Sequence, residues 1–257
     1  MEWREAGGIR WLEAELPGAT AAFSTRIGGT SRQPFDSLNL GVFTDDEHGA
    51  VVENRIRLAA ALGLEPERIA IGRQVHGAEL ATHGGPQSPR PFAEPGSAIP
   101  EVDGHVTAED SLALLVFAAD CLPIALAGPG GVAMLHCGWR GLAAGIVARG
   151  VEATGATDAA IGPGIGPCCY EVGEEVLAHL PQPSMGRKPD SGSGNRPVDR
   201  LDLAVVACRM LSKAGVERVE SCGICTSCEA GLFFSHRRDA GRTGRQAGLV
   251  WRDREAG

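Results

Sequence analysis

The stretch LALLVFAADCLPIALAGPGGVAMLHCGWRG, residues 112–141, decides the fold. It contains three apolar runs of strand length, Leu112 to Ala119, Pro123 to Ala127 and Val132 to Leu135. Continuous runs of this kind suit strands buried on both faces. The first and last end at reactive or polar residues, Asp120-Cys121 and His136. Working outward, Ala19 to Ser24 is another short apolar run, ending at a glycine-rich turn. Val52, Ile56, Ala59 and Ala60 fall at helical spacing, with Gly63 as the natural stop. Ile69 to Val75, Ala159 to Ile161 and Val216 to Val219 read as strands, and Leu142 to Val151 and Leu201 to Ala214 as helices. The alternation predicts a chain of mixed α and β structure. Residues 84–100 and 182–199 carry most of the proline and serine and little apolar periodicity, so they read as exposed loops.

Composition narrows the setting. Glycine is 36 of 257 residues, about twice the ordinary ~7%, yet it has no period of three, which excludes a collagen-like chain. With 43% hydrophobic and 22% charged residues the chain is a folded globular protein. A net charge of −8 excludes a nucleic-acid groove as its main purpose, because phosphate backbones require a basic footprint. The start, Met1-Glu2-Trp3-Arg4-Glu5, lacks the pattern of a signal peptide, and the longest apolar run falls far short of the ~20 residues of a membrane span. The expectation is a cytoplasmic protein with no membrane partner, whose eight cysteines are reduced, buried or metal-bound rather than paired.

Three soft-metal ligands lie at or just past predicted strand ends: His76 in QVHG, Cys121 in ADCLP and His136 in HCGWRG. Separations of 45 and 15 residues are too wide for a local finger and fit a site assembled by the fold. Two imidazoles and a thiolate form a three-point Zn²⁺ site with the fourth position open, the pattern of catalytic zinc, and Cu²⁺ is the other candidate. Such a metal lowers the pKa of bound water toward ~7. The same atoms allow a second reading, with Cys121 as a nucleophile and His76 or His136 as its base. The glycine-rich segment FSTRIGGTSRQPFDSLNLG, residues 23–41, offers Arg26, Thr30, Ser31 and Arg32 as donors to a phosphate or ribose, and Arg140 stands just before a predicted helix start. Cys168 and Cys169 read as structural. Cys222, Cys225 and Cys228 repeat a CxxC spacing but have no fourth ligand at a familiar distance, so they read as buried or inert; the polar run after His236 reads as a loop at the site mouth.

Seven motifs, FSTRIGGTSRQPFDSLNLG, QVHG, DGHVT, ADCLPI, HCGWRG, IGPGIGPCCYEVG and CTSCEAGLFFSHRRDAGRTGRQA, resemble in order those of the YfiH-like family. That family was once described as multicopper polyphenol oxidases or laccases and later assigned purine nucleoside phosphorylase and adenosine deaminase activity. The resemblance covers about residues 20–250. It implies one α+β domain over residues 1–257, of packed mixed sheets covered by helices in α/β/β/α layers, related to the cytotoxic necrotizing factor deamidases. It places the metal on His76, Cys121 and His136, and puts Arg26, Asn39, Asp103 and Arg140 in motif blocks as candidate substrate or phosphate residues. The implied substrates are purine nucleosides with phosphate as co-substrate. The runner-up is a Cys-His hydrolase of amide bonds, and a copper polyphenol oxidase ranks below it. Two departures stand out: Cys137 replaces the family's usual alanine, placing a thiol beside the metal either as a competing ligand or as packing, and the proline-rich loop before Asp103 is long enough to form a lid.

Overall fold

Strands Leu122–Gly128 and Gly131–Cys137 pair antiparallel along their whole length. In the computed structural model they form the centre of a six-stranded sheet; the structure describes residues 1–96, 98–180, 185–188 and 198–253. The order across this site-bearing sheet is Arg218–Ser221, Asp158–Ile161, Leu122–Gly128, Gly131–Cys137, Gly104–Thr107 and Leu80–His83. A companion sheet runs Glu2–Ala6, Ile9–Leu16, Ala19–Ser24, Gln246–Arg252, Ala113–Ala118 and Ile69–Ala70. Each mixes parallel and antiparallel neighbours.

The two sheets stack face to face. Their shared core draws Leu12, Phe23, Leu114, Val116 and Val250 from the companion sheet and Ala125, Val132, Met134 and Ala160 from the site-bearing sheet. The helix His48–Ala61 covers the outer face of the companion sheet, packing Leu58 and Ala59 against Leu115 and Leu249. On the other side, Ile146–Thr154 and Leu203–Lys213 cover the site-bearing sheet, with Val147, Val151, Val206 and Leu211 against Leu126 and Leu135. The layers are therefore α/β/β/α. This explains why the strands of residues 112–137 are apolar throughout: one face meets the other sheet and the other face meets a helix.

Several elements differ from the sequence reading. The helix of residues 48–61 buries Val51, Asn54, Arg55, Leu58 and Ala59, while Ile56 is half exposed, so the apolar spacing marked the helix but not its inner face. The strand expected over Ile69 to Val75 ends at Ala70. Beyond it the chain leaves the companion sheet, and Gln74 replaces the lost ladder by side-chain bonds to both the N–H and C=O of Phe117. The helix expected from Leu142 divides into Trp139–Ala143 and Ile146–Thr154, because Gly145 adopts φ 87° between them. Strands Glu2–Ala6 and Ile9–Leu16, and the central strand Gln246–Arg252, were not anticipated. In the last, Gly248 interrupts the apolar run because the sheets come close there: a Cβ would lie 2.5 Å from that of Pro123.

The loop of residues 84–100 is not a bare surface ornament. Phe92 is buried, and the fully buried Arg55 donates to Leu40 O, Pro91 O and Phe92 O at 2.9 to 3.1 Å while stacking over Phe92 and Phe117. Most of the second expected loop, 182–199, lies outside the described residues; Met185–Lys188 and Val198–Leu201 pair as strands. Arg55 thus ties a helix, the glycine-rich segment and the proline-rich loop together. Replacing it by alanine strands three buried carbonyls, each costing roughly 1–3 kcal/mol. Arg55→Ala is expected to lower unfolding free energy by about 3 kcal/mol or more in urea titrations and to open residues 84–100 to limited proteolysis; unchanged stability would contradict this role.

Candidate metal centre and cavity

Two links carry the chain from the companion sheet to the site-bearing sheet, and both end beside His136. Ala119-Asp120-Cys121 joins Ala113–Ala118 to Leu122–Gly128, and residues 71–79 join Ile69–Ala70 to Leu80–His83. They bring the ligand atoms of His76, Cys121 and His136 within 4.8 Å of one another. The rings of His76 and His136 meet edge to face with centroids 4.9 Å apart.

Each link is held in an uncommon backbone conformation. His76 has φ 62° and Asp120 φ 99°, left-handed values that cost a non-glycine residue on the order of 1–3 kcal/mol. Asp103, fully buried, holds the first link: its carboxylate accepts the N–H of Val75 (3.1 Å), His76 (2.9 Å) and Gly77 (2.7 Å). It also accepts from His136 Nδ1 at 2.8 Å, which puts the ring proton on Nδ1 and leaves Nε2 as the donor atom for a metal. Asp120 holds its own link by accepting Thr226 Oγ1–H and Arg237 N–H, both at 2.7 Å. Gly138 leaves the required space: a Cβ there would lie 2.9 Å from Cys121 Sγ and 3.3 Å from His76 Cδ2.

The electrostatics follow from burial and partners. Burial disfavours charge on Asp103, yet the His136 bond and the amides of Gly77 and Val75 outweigh it and hold its pKa below the ordinary carboxylate value. For metal-free Cys121, burial is again opposed and overcome by His136 and His76, which pull the thiol pKa well down. His136 moves the other way: burial works against its charge, but the Cys121 thiolate and Asp103 raise its pKa. Cys137, by contrast, packs in the core beneath the helices with Leu135 and Leu142, and burial, then Cys121 and Asp103, push it well up. It is a neutral core thiol, the packing alternative of the two that the sequence left open.

The triad opens on a cavity of about 440 Å³, within the ~300–1,000 Å³ range of small-molecule sites. Phe43, Phe117 and Tyr170 give it ring surfaces, and Arg140, Arg237 and Arg245 give it positive charge. Burial, then the negative charge of Cys121, pushes the Tyr170 phenol up to about 12, so it stays neutral. Of the sequence candidates, Arg140 lines this cavity and stacks over Trp139 at 4.4 Å. Arg26 does not line it; its guanidinium bonds to Asp36 and Ala230 O and lies over Phe234. Asn39 is buried and spans Thr44, Asp46 and the amides of Gly41 and Arg245. Thr30 and Ser31 are spent on Asn54, and Arg32 is exposed outside the cavity lining. The glycine-rich segment is thus closed by its own hydrogen bonds instead of opening as an anion pocket. Asp103 faces protein groups and orients the site. Phe43, Asp120, Tyr170, Arg237 and Arg245 were missed; only the reading of the run after His236 as a loop at the site mouth pointed toward any of them.

A mixed-sheet α/β/β/α domain with a His/Cys/His centre at the sheet junction defines the class. Residues 20–253 match the family model described as multi-copper polyphenol oxidoreductase laccase, and the chain belongs to that family. It is 38% identical to purine nucleoside phosphorylase YlmD of Geobacillus stearothermophilus, covering 98% of this chain and 97% of that one. It is 40% identical to a purine nucleoside phosphorylase of Streptomyces coelicolor, covering 92% and 96%. Among solved structures, Bacillus licheniformis YfiH superposes with a TM-score of 0.85 at 31% identity over 98% of this chain and 99% of that one. The YlmD structure gives 0.84 at 38% identity, covering 97% and 98%. No helix among the described residues is long and apolar enough to cross a membrane.

Asp103→Asn replaces an acceptor by an amide that cannot receive all four bonds, and loss of such an orienting partner typically weakens metal binding 10–100-fold. Competition with a chromophoric chelator is expected to show that loss, and equal affinity would remove Asp103 from the account. For metal-free protein, the lowered thiol pKa means Cys121 is thiolate at neutral pH. Its alkylation rate is expected to rise with pH well below the ordinary thiol range, around pH 8.5, and to collapse on metal loading. A midpoint at the ordinary thiol value would contradict the His136 contact, and fast alkylation of loaded protein would favour a nucleophilic Cys121.

Proposed function

We propose that this protein is a zinc-dependent purine nucleoside phosphorylase that also deaminates adenosine. The observation that carries the reading is the His76/Cys121/His136 centre on a cavity walled by aromatic rings and arginines. The curated relatives named as purine nucleoside phosphorylases support the substrate class. The donor set fits Zn²⁺: two imidazoles and one thiolate, one imidazole already oriented by a buried carboxylate. When bound, zinc supplies a Lewis acid with an open coordination position.

The chain's own groups divide the remaining work. The faces of Phe43, Phe117 and Tyr170 suit a purine, since rings stack favourably with offset faces or edges. Arg140, Arg237 and Arg245 suit inorganic phosphate, as guanidinium forks match its oxygens. In phosphorolysis a phosphate oxygen bonds to C1′ of the ribose as the bond from C1′ to the base nitrogen breaks. The base departs with that electron pair and takes a proton, for which His236 on the cavity wall is the proposed donor. Substrates are adenosine, inosine, guanosine and methylthioadenosine. In deamination, water oxygen replaces the C6 amino group and ammonia leaves.

One observation favours a second reading. Asp103, His136 and Cys121 form an orienter, base and thiol in series, the arrangement of a Cys-His hydrolase acting on amides. A copper oxidase is not supported, because reduction of oxygen to water needs several coppers. Among the described residues only two groups of His, Cys, Asp or Glu could hold a metal ion.

Metal-replete protein incubated with adenosine and phosphate is expected to release adenine and ribose 1-phosphate, with no adenine formed when phosphate is omitted. Arg140→Ala and Arg237→Ala are expected to raise KM for phosphate by about 10-fold or more, the scale of one charged hydrogen bond. No purine base from any of the four nucleosides would sink the substrate class.

A further inference from the structure

Four thiols converge outside the His/Cys/His centre, from two loops far apart in the sequence. Cys168 and Cys169 follow the strand Asp158–Ile161, and Cys225 and Cys228 follow Arg218–Ser221, its parallel neighbour. The loops are already joined by backbone: Gly164 and Cys225 form a bridge, and Thr226 N–H donates to Gly164 O at 3.0 Å. Cys228 Sγ lies 3.3 Å from Cys168 Sγ and 3.5 Å from Cys169 Sγ, and all four sulfurs fall within 4.8 Å of one another. A tetrahedral zinc with Zn–S of about 2.3 Å has sulfurs about 3.8 Å apart, so the four already stand near the corners required.

Two further features fit a metal. Gly166 N–H donates to Cys225 Sγ at 3.2 Å, and the amides of Ser227 and Cys228 also point to this sulfur, an arrangement that stabilises thiolate charge. Gly166 also keeps the space clear, since a Cβ there would lie 3.2 Å from Cys225 Cβ and 3.3 Å from Cys168 Sγ. Cys222, the other member of the CxxC repeat, packs instead against the core between the sheets. The sequence offered the CxxC repeat no fourth ligand at a familiar spacing; the fold brings Cys168 and Cys169 to it from 56 to 60 residues away.

We propose that Cys168, Cys169, Cys225 and Cys228 form a second metal site, a closed tetrathiolate Zn²⁺ centre with a structural role. Binding exchanges four thiol protons for the ion and needs no oxidant. The site clamps the loop bearing Tyr170 to the loop bearing Thr226, whose hydroxyl anchors Asp120 beside Cys121. It therefore fixes a wall of the cavity without touching a ligand in it.

The test is metal stoichiometry with the two centres separated. Protein purified under reducing conditions is expected to carry two zinc ions per chain by elemental analysis. The Cys121→Ser/His136→Ala variant is expected to carry one, as is each of Cys168→Ser and Cys228→Ser, two independent exposed positions that guard against a single misfolded variant. Co²⁺ loaded into Cys121→Ser/His136→Ala is expected to give the intense visible bands and sulfur-to-cobalt charge transfer of a tetrahedral tetrathiolate, abolished by adding Cys228→Ser. A metal-free Cys121→Ser/His136→Ala protein with all four thiols open to a thiol reagent would overturn the proposal. So would a disulfide among these cysteines in the freshly purified protein.

Discussion

The carboxylate of Asp103 is the constraint on which the centre depends. Four donors converge on it: three successive amides of the link that carries His76, and the Nδ1–H of His136 at the end of a strand. Without it, His76 has no reason to keep a left-handed backbone, and the His136 ring no reason to present Nε2. Asp120 repeats the device on the other link, anchoring its own strained residue through Thr226 and Arg237. Two buried acids therefore fix the two links that carry the chain from the companion sheet into the site-bearing sheet. The stacking of the sheets and the geometry of the centre are one structural problem: sliding one sheet over the other would pull the three ligands apart.

Much of this was legible in the sequence because burial leaves a direct mark. Ala19–Ser24 has the bounds its apolar run predicted, and the runs within residues 112–137 became central strands because both their faces are covered. The triad was readable from residue type and strand ends. What escaped depends on partners brought from afar. Gln246–Arg252 was not read as a strand, and Gly248, which interrupts its apolar run, is where Pro123 of the facing sheet comes close. Arg26 and Thr30 looked free for an anion, but Asp36 O, Ala230 O and Asn54 Oδ1 take their donors, and Ser31 accepts from Asn54. A polar side chain that serves a ligand and one that closes its own loop are alike in sequence, and only the fold distinguishes them. The paired cysteines show the same limit, since each CxxC or CC step was incomplete alone.

The family description as a laccase and the relatives' names as nucleoside phosphorylases point to different chemistry, and the ligand inventory favours the latter. On the assignments proposed above, the His/Cys/His group beside the cavity would offer an open metal position and the all-sulfur group away from it a closed one. Oxygen reduction needs several coppers acting together, and the described residues offer no such array. A single open metal position facing rings and guanidinium groups instead suits a small, flat, anion-requiring reaction partner.

On the proposed function, the centre organised by Asp103 carries the activity. This is tested most directly by titrating zinc into metal-free protein while following phosphate-dependent conversion of adenosine to adenine. No turnover is expected at the start, followed by a rise in proportion to zinc bound at His76, Cys121 and His136 that reaches its maximum when that centre is filled. Full activity in the metal-free protein would contradict it.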